Sequence, residues 1–400
     1  MSAEMTPDTY QTDTYQLDAA RWAKGRNTLV LAVLVSVIAC IAGYINDPVR
    51  FHQSYIIAFA YVAAAGLGAF FFVMVQYLTG SAWSVTMRRI MENIMITLPA
   101  CAILFIPIAF GLKDIYPWTD HTANPFGGTK GAYLTENFFV LRTYIYFALW
   151  SIWIFAIYYQ STKQDRERSA RQMNVIARWS APGLFLSVVV GTLAAYDWLM
   201  SLEPHWYSTI FGLYILAGGA LTFMSLLTLI CLGFRRAGIL KNSITKEHYH
   251  DLGKWLFALT AFYTYMAFSQ YLLIWYANLP EETIWYRHRS VGGWLGISLA
   301  MPFIRFLIPF FVMLSKPAKR SLNMIAAFAI WSLIVEYVDL YWVVMPTYFK
   351  TGPQISWMDF ATLAATLSIC ALVFWSRFRK TKLAPVGDLR FEQSLHFENA

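Results

Sequence analysis

The chain has 400 residues, of which 58% are hydrophobic, 18% aromatic and only 14% charged, with a formal net charge of +8. A soluble domain carries roughly 25% charged residues, so this composition excludes an ordinary water-exposed fold. The basic excess gathers on one side of the apolar runs, and nucleic-acid binding is not needed to explain it.

Crossing the hydrocarbon of a bilayer takes about 20 mainly apolar residues. Ten runs meet or approach that length: 28–45, 55–78, 93–112, 138–159, 180–201, 208–233, 254–277, 291–314, 322–343 and 357–376. The pattern predicts an all-α polytopic membrane protein with an N-terminal tail (1–27), a transmembrane domain (28–376) and a C-terminal tail (377–400). Glu4, Asp8, Asp13 and Asp18 stand ahead of the first run with Arg21, Lys24 and Arg26, which is not the pattern of a cleavable signal. An even number of spans puts both termini on one side, and the bias of Lys and Arg says which. Segments on the side of the termini hold 23 of these residues, counting Lys254 at the edge of a run, against 6 on the other side. Arg142 and Arg305 fall inside runs. Both termini are therefore expected in the cytoplasm.

Segments 113–137, with Pro117, Pro125, Gly127, Gly128 and Gly131, and 278–290 are longer than simple connections require. On the other side, 160–178 alternates charges and reads as a helix extending into the cytoplasm. Within the runs, Pro99, Pro107, Pro182, Pro302 and Pro309 kink helices and let them bow around a cavity. Gly292 and Gly296 have the spacing that permits close helix approach.

Cys40, Cys101, Cys231 and Cys370 are scattered over separate runs without a CxxC pattern. His52, His121, His205, His248, His250, His288 and His396 all read as lying between runs or in a tail, whereas a membrane haem needs imidazoles facing each other inside a bundle. His248 and His250, two apart, would point away from each other on a helix. The chain is expected to hold no haem, iron–sulfur cluster or other metal.

What remains is a set of ionisable groups in apolar surroundings. Asp197, Glu203 and His205 lie at the junction of the fifth and sixth runs. Glu336 and Asp339 lie three apart in the ninth, on one helix face. A charge at the bilayer centre costs from about 2.5 to more than 10 kcal/mol, so such groups face a bundle interior or a water-filled path. At helical rise, Asp197 lies about 25 Å and Asp339 about 26 Å from the cytoplasmic starts of their runs. The two acids could share one level near the outer face, with Glu203 and His205 at the exterior mouth, as a proton relay would need. Thr260, Tyr263, Thr264, Gln270 and Tyr271 of the seventh run are the candidates for an inner polar path. Arg305 must pair with an acid; at about 13 Å it lies below Glu336 at about 21 Å, so a direct pair needs offset helices or a snorkelling side chain. A static charge network, a proton path and a substrate site all remain open.

Three strings carry a resemblance: YDWLMSLEPHWYSTIFG (196–212), QYLLIWYANLPEETIWYRHR (270–289) and VEYVDLYWVVMP (335–346). Through them, and over nearly all ten spans, the chain resembles the second polytopic subunit (the ActF type) of bacterial alternative complex III, a quinol:cytochrome c oxidoreductase. That subunit is a relative of the polysulfide-reductase-like (NrfD-like) membrane anchors. The resemblance implies two four-helix bundles, spans two to five (55–201) and six to nine (208–343), with spans one and ten outside them. It implies a bacterial cytoplasmic membrane and partners that carry the redox centres: a multihaem cytochrome c, an iron–sulfur subunit and a sibling polytopic subunit. The sibling is the stronger candidate for quinol oxidation, and this type is proposed to conduct protons. The matching positions here are Asp197, Glu203, His205, Glu336 and Asp339. For quinone, the one small cofactor that the resemblance allows, His52, Asp47 and Asp114 are the exterior-side possibilities. The competing readings are a quinone-binding membrane anchor and a purely structural scaffold.

Overall fold

The structure, a computed structural model, describes residues 13–120 and 126–399. Among these residues there is no strand, and ten helices are long and apolar enough to cross a membrane: α1 (Ala19–Asn46), α2 (Pro48–Leu78), α3 (Val85–Phe110), α4 (Glu136–Glu167), α5 (Ala170–Leu202), α6 (Phe211–Arg236), α7 (Lys246–Ala277), α8 (Trp294–Leu314), α9 (Leu322–Thr347) and α10 (Trp357–Arg377). Leu31, Ile38 and Ile45 on α1, Leu273 and Trp275 on α7, and Leu299 and Phe311 on α8 are mostly exposed. Monomeric soluble proteins rarely leave apolar surface so continuous. The chain is a multi-pass membrane protein.

Several helices outrun the apolar windows that announce them. α3 starts at Val85, not near 93, and α7 at Lys246, not near 254. Helix formation continues through polar residues wherever their side chains find partners. In α3 those residues are fully buried: Arg88 meets Asp388 at 2.7 Å, and Arg89 meets Glu92 at 2.8 Å and Asp165 at 2.7 Å. His52 likewise lies inside α2, and His248 and His250 in the opening turns of α7, which corrects their expected place between spans. His121 and Pro125 lie outside the described residues, as do Glu4 and Asp8. The charged stretch after the fourth run is helical up to Glu167, and α5 resumes at Ala170 after Arg168 takes a left-handed conformation (φ 45°).

The start of α1 and the end of α10 lie at one end of the helices, here the terminal face; the ends of α1, α3, α5, α7 and α9 and the starts of the helices that follow them lie at the other, the loop face. Residues after α10 do not form a free polar tail. They run across the terminal face, with Leu383 N–H donating to the Tyr15 carbonyl, Gln164 to the Gly387 carbonyl and Ser394 to the Trp83 carbonyl.

α2 and α6 are the most enclosed helices. They cross where glycine is obligatory: a Cβ on Gly68 would stand 2.4 Å from the Gly219 carbonyl oxygen, and one on Gly219 would stand 2.4 Å from that of Ala64. Gly292 and Gly296 do not bring two helices together: a Cβ on Gly292 would stand 2.2 Å from the Thr351 carbonyl oxygen, in the α9–α10 connection. Gly292 belongs to the turn ahead of α8, with φ 57°, and a Cβ on Gly296 would meet nothing within 4 Å. The prolines act as expected in α3, which breaks at Ile96 and Phe105, and in α8, where Pro302 opens a π-helical turn, Pro302–Leu307. Pro182 sits in an uninterrupted stretch of α5.

Candidate functional site

On α9, Glu336 and Asp339 are three residues apart and turn the same way, as a helix requires. Both are buried. Glu336 forms an ion pair with Arg305, which lies in the π-helical turn of α8. Gly218 on α6 makes room for that carboxylate, since a Cβ there would clash with Glu336 Oε1. Asp339 Oδ2 accepts from the Tyr214 and Tyr263 hydroxyls, each at 2.7 Å. The Arg305 guanidinium lies over the Tyr263 ring, 3.8 Å from its centroid. Its Nε and Nη1 are buried and have no hydrogen-bond partner.

Arg305, Asp339, Tyr214 and Tyr263 line a cavity of about 460 Å³ between α7, α8 and α9. Thr264, Gln270 and Tyr271, named for the inner path, line it as well. Gln270 stands two turns beyond Tyr263, about 10 Å toward the loop face, where it bonds Ser208 and Tyr286. Tyr271 packs edge-on against Tyr286. These two residues thus belong to the loop-face half. Thr260 and Thr264 donate their hydroxyls to carbonyls of their own helix.

Asp197 belongs to a different cluster. Its Oδ1 accepts from Arg142 Nη2 at 3.0 Å and the Tyr133 hydroxyl at 3.0 Å, and its Oδ2 from Arg142 Nε at 3.0 Å and the Tyr146 hydroxyl at 2.8 Å. Arg142 Nη1 donates to the Tyr133 carbonyl at 2.7 Å, and the guanidinium lies 3.7 Å from the Tyr133 ring centroid. Among the described residues, no hydrogen bond or ion pair joins this cluster to Asp339 or Glu336.

The three strings singled out in the sequence meet at the loop face. Glu203, from the first, accepts from Arg289, in the second, at 2.8 Å and faces His288 at 3.2 Å. Arg289 is buried under the Trp285 ring, 3.6 Å from its centroid, and donates to the carbonyls of Trp342 and Val343, in the third. Trp206 stacks on Trp285 with centroids 4.9 Å apart. Burial pushes the Glu203 carboxyl up, but Arg289 and His288 outweigh it and hold the group below the usual carboxylate range. His205 is exposed and packs against the Phe126 ring, away from Glu203.

Of the exterior-side quinone candidates, His52 and Asp114 are brought together, Nδ1 to Oδ2 at 2.7 Å, with Gly111 leaving the space that the His52 ring fills. Asp47 instead caps α2 by accepting from Arg50 N–H. Sequence reasoning missed Arg142, Tyr214 and Arg289. For Arg142 a signal existed: an arginine inside an apolar run needs a buried acid. For Tyr214, one of many tyrosines in this chain, there was none. Among the described residues no three His, Cys, Asp or Glu side chains converge as a metal site would need. No known family model matches the chain, and no curated protein does.

Proposed function

We propose that the chain is a membrane subunit of a respiratory quinol:electron-acceptor oxidoreductase of the alternative complex III type, without a redox centre of its own, in which Glu336 and Asp339 exchange protons. In this reading α2–α5 and α6–α9 are two four-helix bundles with α1 and α10 outside them. The terminal face is cytoplasmic in a bacterial inner membrane, and a multihaem cytochrome c, an iron–sulfur subunit and a sibling polytopic subunit carry the electrons.

One observation carries the reading: two carboxylates one helical turn apart, deep in an apolar protein, with Asp339 lining a cavity. Acids kept at such depth are costly and belong at ion or proton pathways more often than elsewhere. The cavity reaches from Asp339 to Trp285, Tyr286 and Ser290 beside the Glu203–Arg289 pair, which gives a proton a loop-face side to leave by. Asp197 suits a static role better than the relay, because every polar atom of its carboxylate and of Arg142 is engaged. Glu336→Gln and Asp339→Asn keep size and remove titration. In the assembled complex they lower the number of protons moved per electron while quinol oxidation continues. Unchanged stoichiometry in well-assembled variants would overturn the proposal.

A second reading, in which the chain itself binds quinone, is favoured by the His52–Asp114 pair. It expects His52→Ala to raise the KM for quinol and leave proton stoichiometry alone.

A further inference from the structure

The cavity between α7 and α8 has features that a proton path does not use. Its mouth is framed by Phe268, Leu299 and Phe303, all exposed on the apolar outside of the helices, so it opens sideways, toward lipid. Its walls are predominantly apolar, and its volume of about 460 Å³ falls within the roughly 300–1,000 Å³ of small-molecule sites. At its inner end stands Arg305, 94% buried by its 6% exposure, with Nε and Nη1 unpartnered. Buried guanidinium N–H groups left open in an apolar site call for an acceptor.

We propose that this cleft binds a neutral, long-chain molecule that enters from the bilayer and seats a carbonyl oxygen of its head on Arg305. The charge of the surroundings selects neutrality. Arg305 already faces the carboxylate of Glu336, and Asp339 lies beside it on the same helix face, so an anionic head would meet repulsion, while a cationic head would meet the guanidinium. A carbonyl oxygen accepts from one of the two open N–H groups, Nε or Nη1, without adding charge. The lateral opening suits a tail that remains in lipid, and the aromatic edges of Phe268 and Phe303 line its way out. Two kinds of membrane molecule share this chemistry, prenylquinones and glyceride esters. The site is distinct from the His52–Asp114 pair, which lies on α2 and the α3–α4 connection. The proposal does not rest on proton exchange at Asp339.

The test uses the full chain in lipid nanodiscs with two photoreactive probes, a menaquinone analogue and a diacylglycerol, and maps the labelled peptides. Labelling at α7 and α8 residues of the cleft should saturate and be displaced by the unlabelled form of the same probe. Ala267→Phe, which fills the cleft without touching charge, should reduce it at least tenfold. Arg305→Lys, which keeps the charge opposite Glu336 but loses the planar fork, should do the same. Displacement seen with only one probe identifies the source. Labelling spread over all lipid-facing helices, absence of displacement with both probes, or equal labelling in a folded Ala267→Phe variant would overturn the proposal.

Discussion

Arg142 meets Asp197 with all three of its nitrogens bonded, and the carboxylate accepts four hydrogen bonds. Arg305, also stacked on a tyrosine ring, meets Glu336 through Nη2 and leaves its other two nitrogens open. Asp339 accepts through Oδ2 from two tyrosines and faces a cavity. The same residue types thus make a closed cluster between α4 and α5 and an open one among α6, α7, α8 and α9. A saturated cluster in a low dielectric holds helices in one arrangement. An open one retains room for a proton, a water or a ligand.

The contrast breaks most visibly if the closed cluster proves dispensable. Asp197→Ala leaves the Arg142 charge buried without its partner, and losing half of a buried pair costs about 3–5 kcal/mol. Thermal unfolding in detergent should show that loss, and Arg142→Met combined with Asp197→Leu should recover most of it. A single variant as stable as the parent would end the claim of closure. Tyrosine-to-phenylalanine changes sharpen the comparison next. Hydrogen bonds to charged groups contribute about 1.5–3 kcal/mol, so Tyr146→Phe should lower stability by that amount with proton movement unaltered. Tyr263→Phe should instead alter protons per electron, and identical responses would erase the distinction. Gly219→Ala should strain the α2–α6 crossing by about 1–3 kcal/mol and disturb both clusters alike; an effect on one cluster alone would show that the crossing does not join them.

The smallest effect concerns acid. The folded carboxyl of Glu203 lies below its ordinary range, so its contribution is complete above about 4.3, the ordinary glutamate value, and is lost as pH falls through the folded value. Melting temperature should therefore drop more steeply on acidification in the parent than in Glu203→Gln, which starts lower because Arg289 loses its partner. Parallel slopes would remove Glu203 from the loop-face clasp.

Helices were legible because apolar runs of membrane-crossing length admit little else; every one of the ten runs overlaps a helix. Their polar ends were not. Arg88, Arg89 and Glu92 fell between the second and third runs, because the partners of the two arginines at Asp388 and Asp165 lie far along the chain and no local pattern announces them. At the candidate site, the residue types and the shared face of Glu336 and Asp339 follow from spacing alone. The pairing of Arg305 with Glu336 and the separation of Asp197 from the α9 acids were both hidden, because depth along a helix says nothing about how neighbouring helices are offset or which of them stands opposite. The three aromatic strings that carry the resemblance converge through Trp206, Trp285, Arg289 and Trp342, a meeting that nothing in their spacing announces.

Arg88 also constrains the order in which the protein can be made. Its carboxylate, on Asp388, lies 300 positions downstream. Translation delivers α3 to the membrane long before that partner exists, so while seven further helices are inserted the guanidinium has only neighbours such as Ser81, Ser84 and Tyr77 and water. Only when the stretch around Asp388 emerges and folds back across the terminal face can water leave and the slot close. A chain halted ahead of that point therefore has all its spans but leaves Arg88 without its carboxylate.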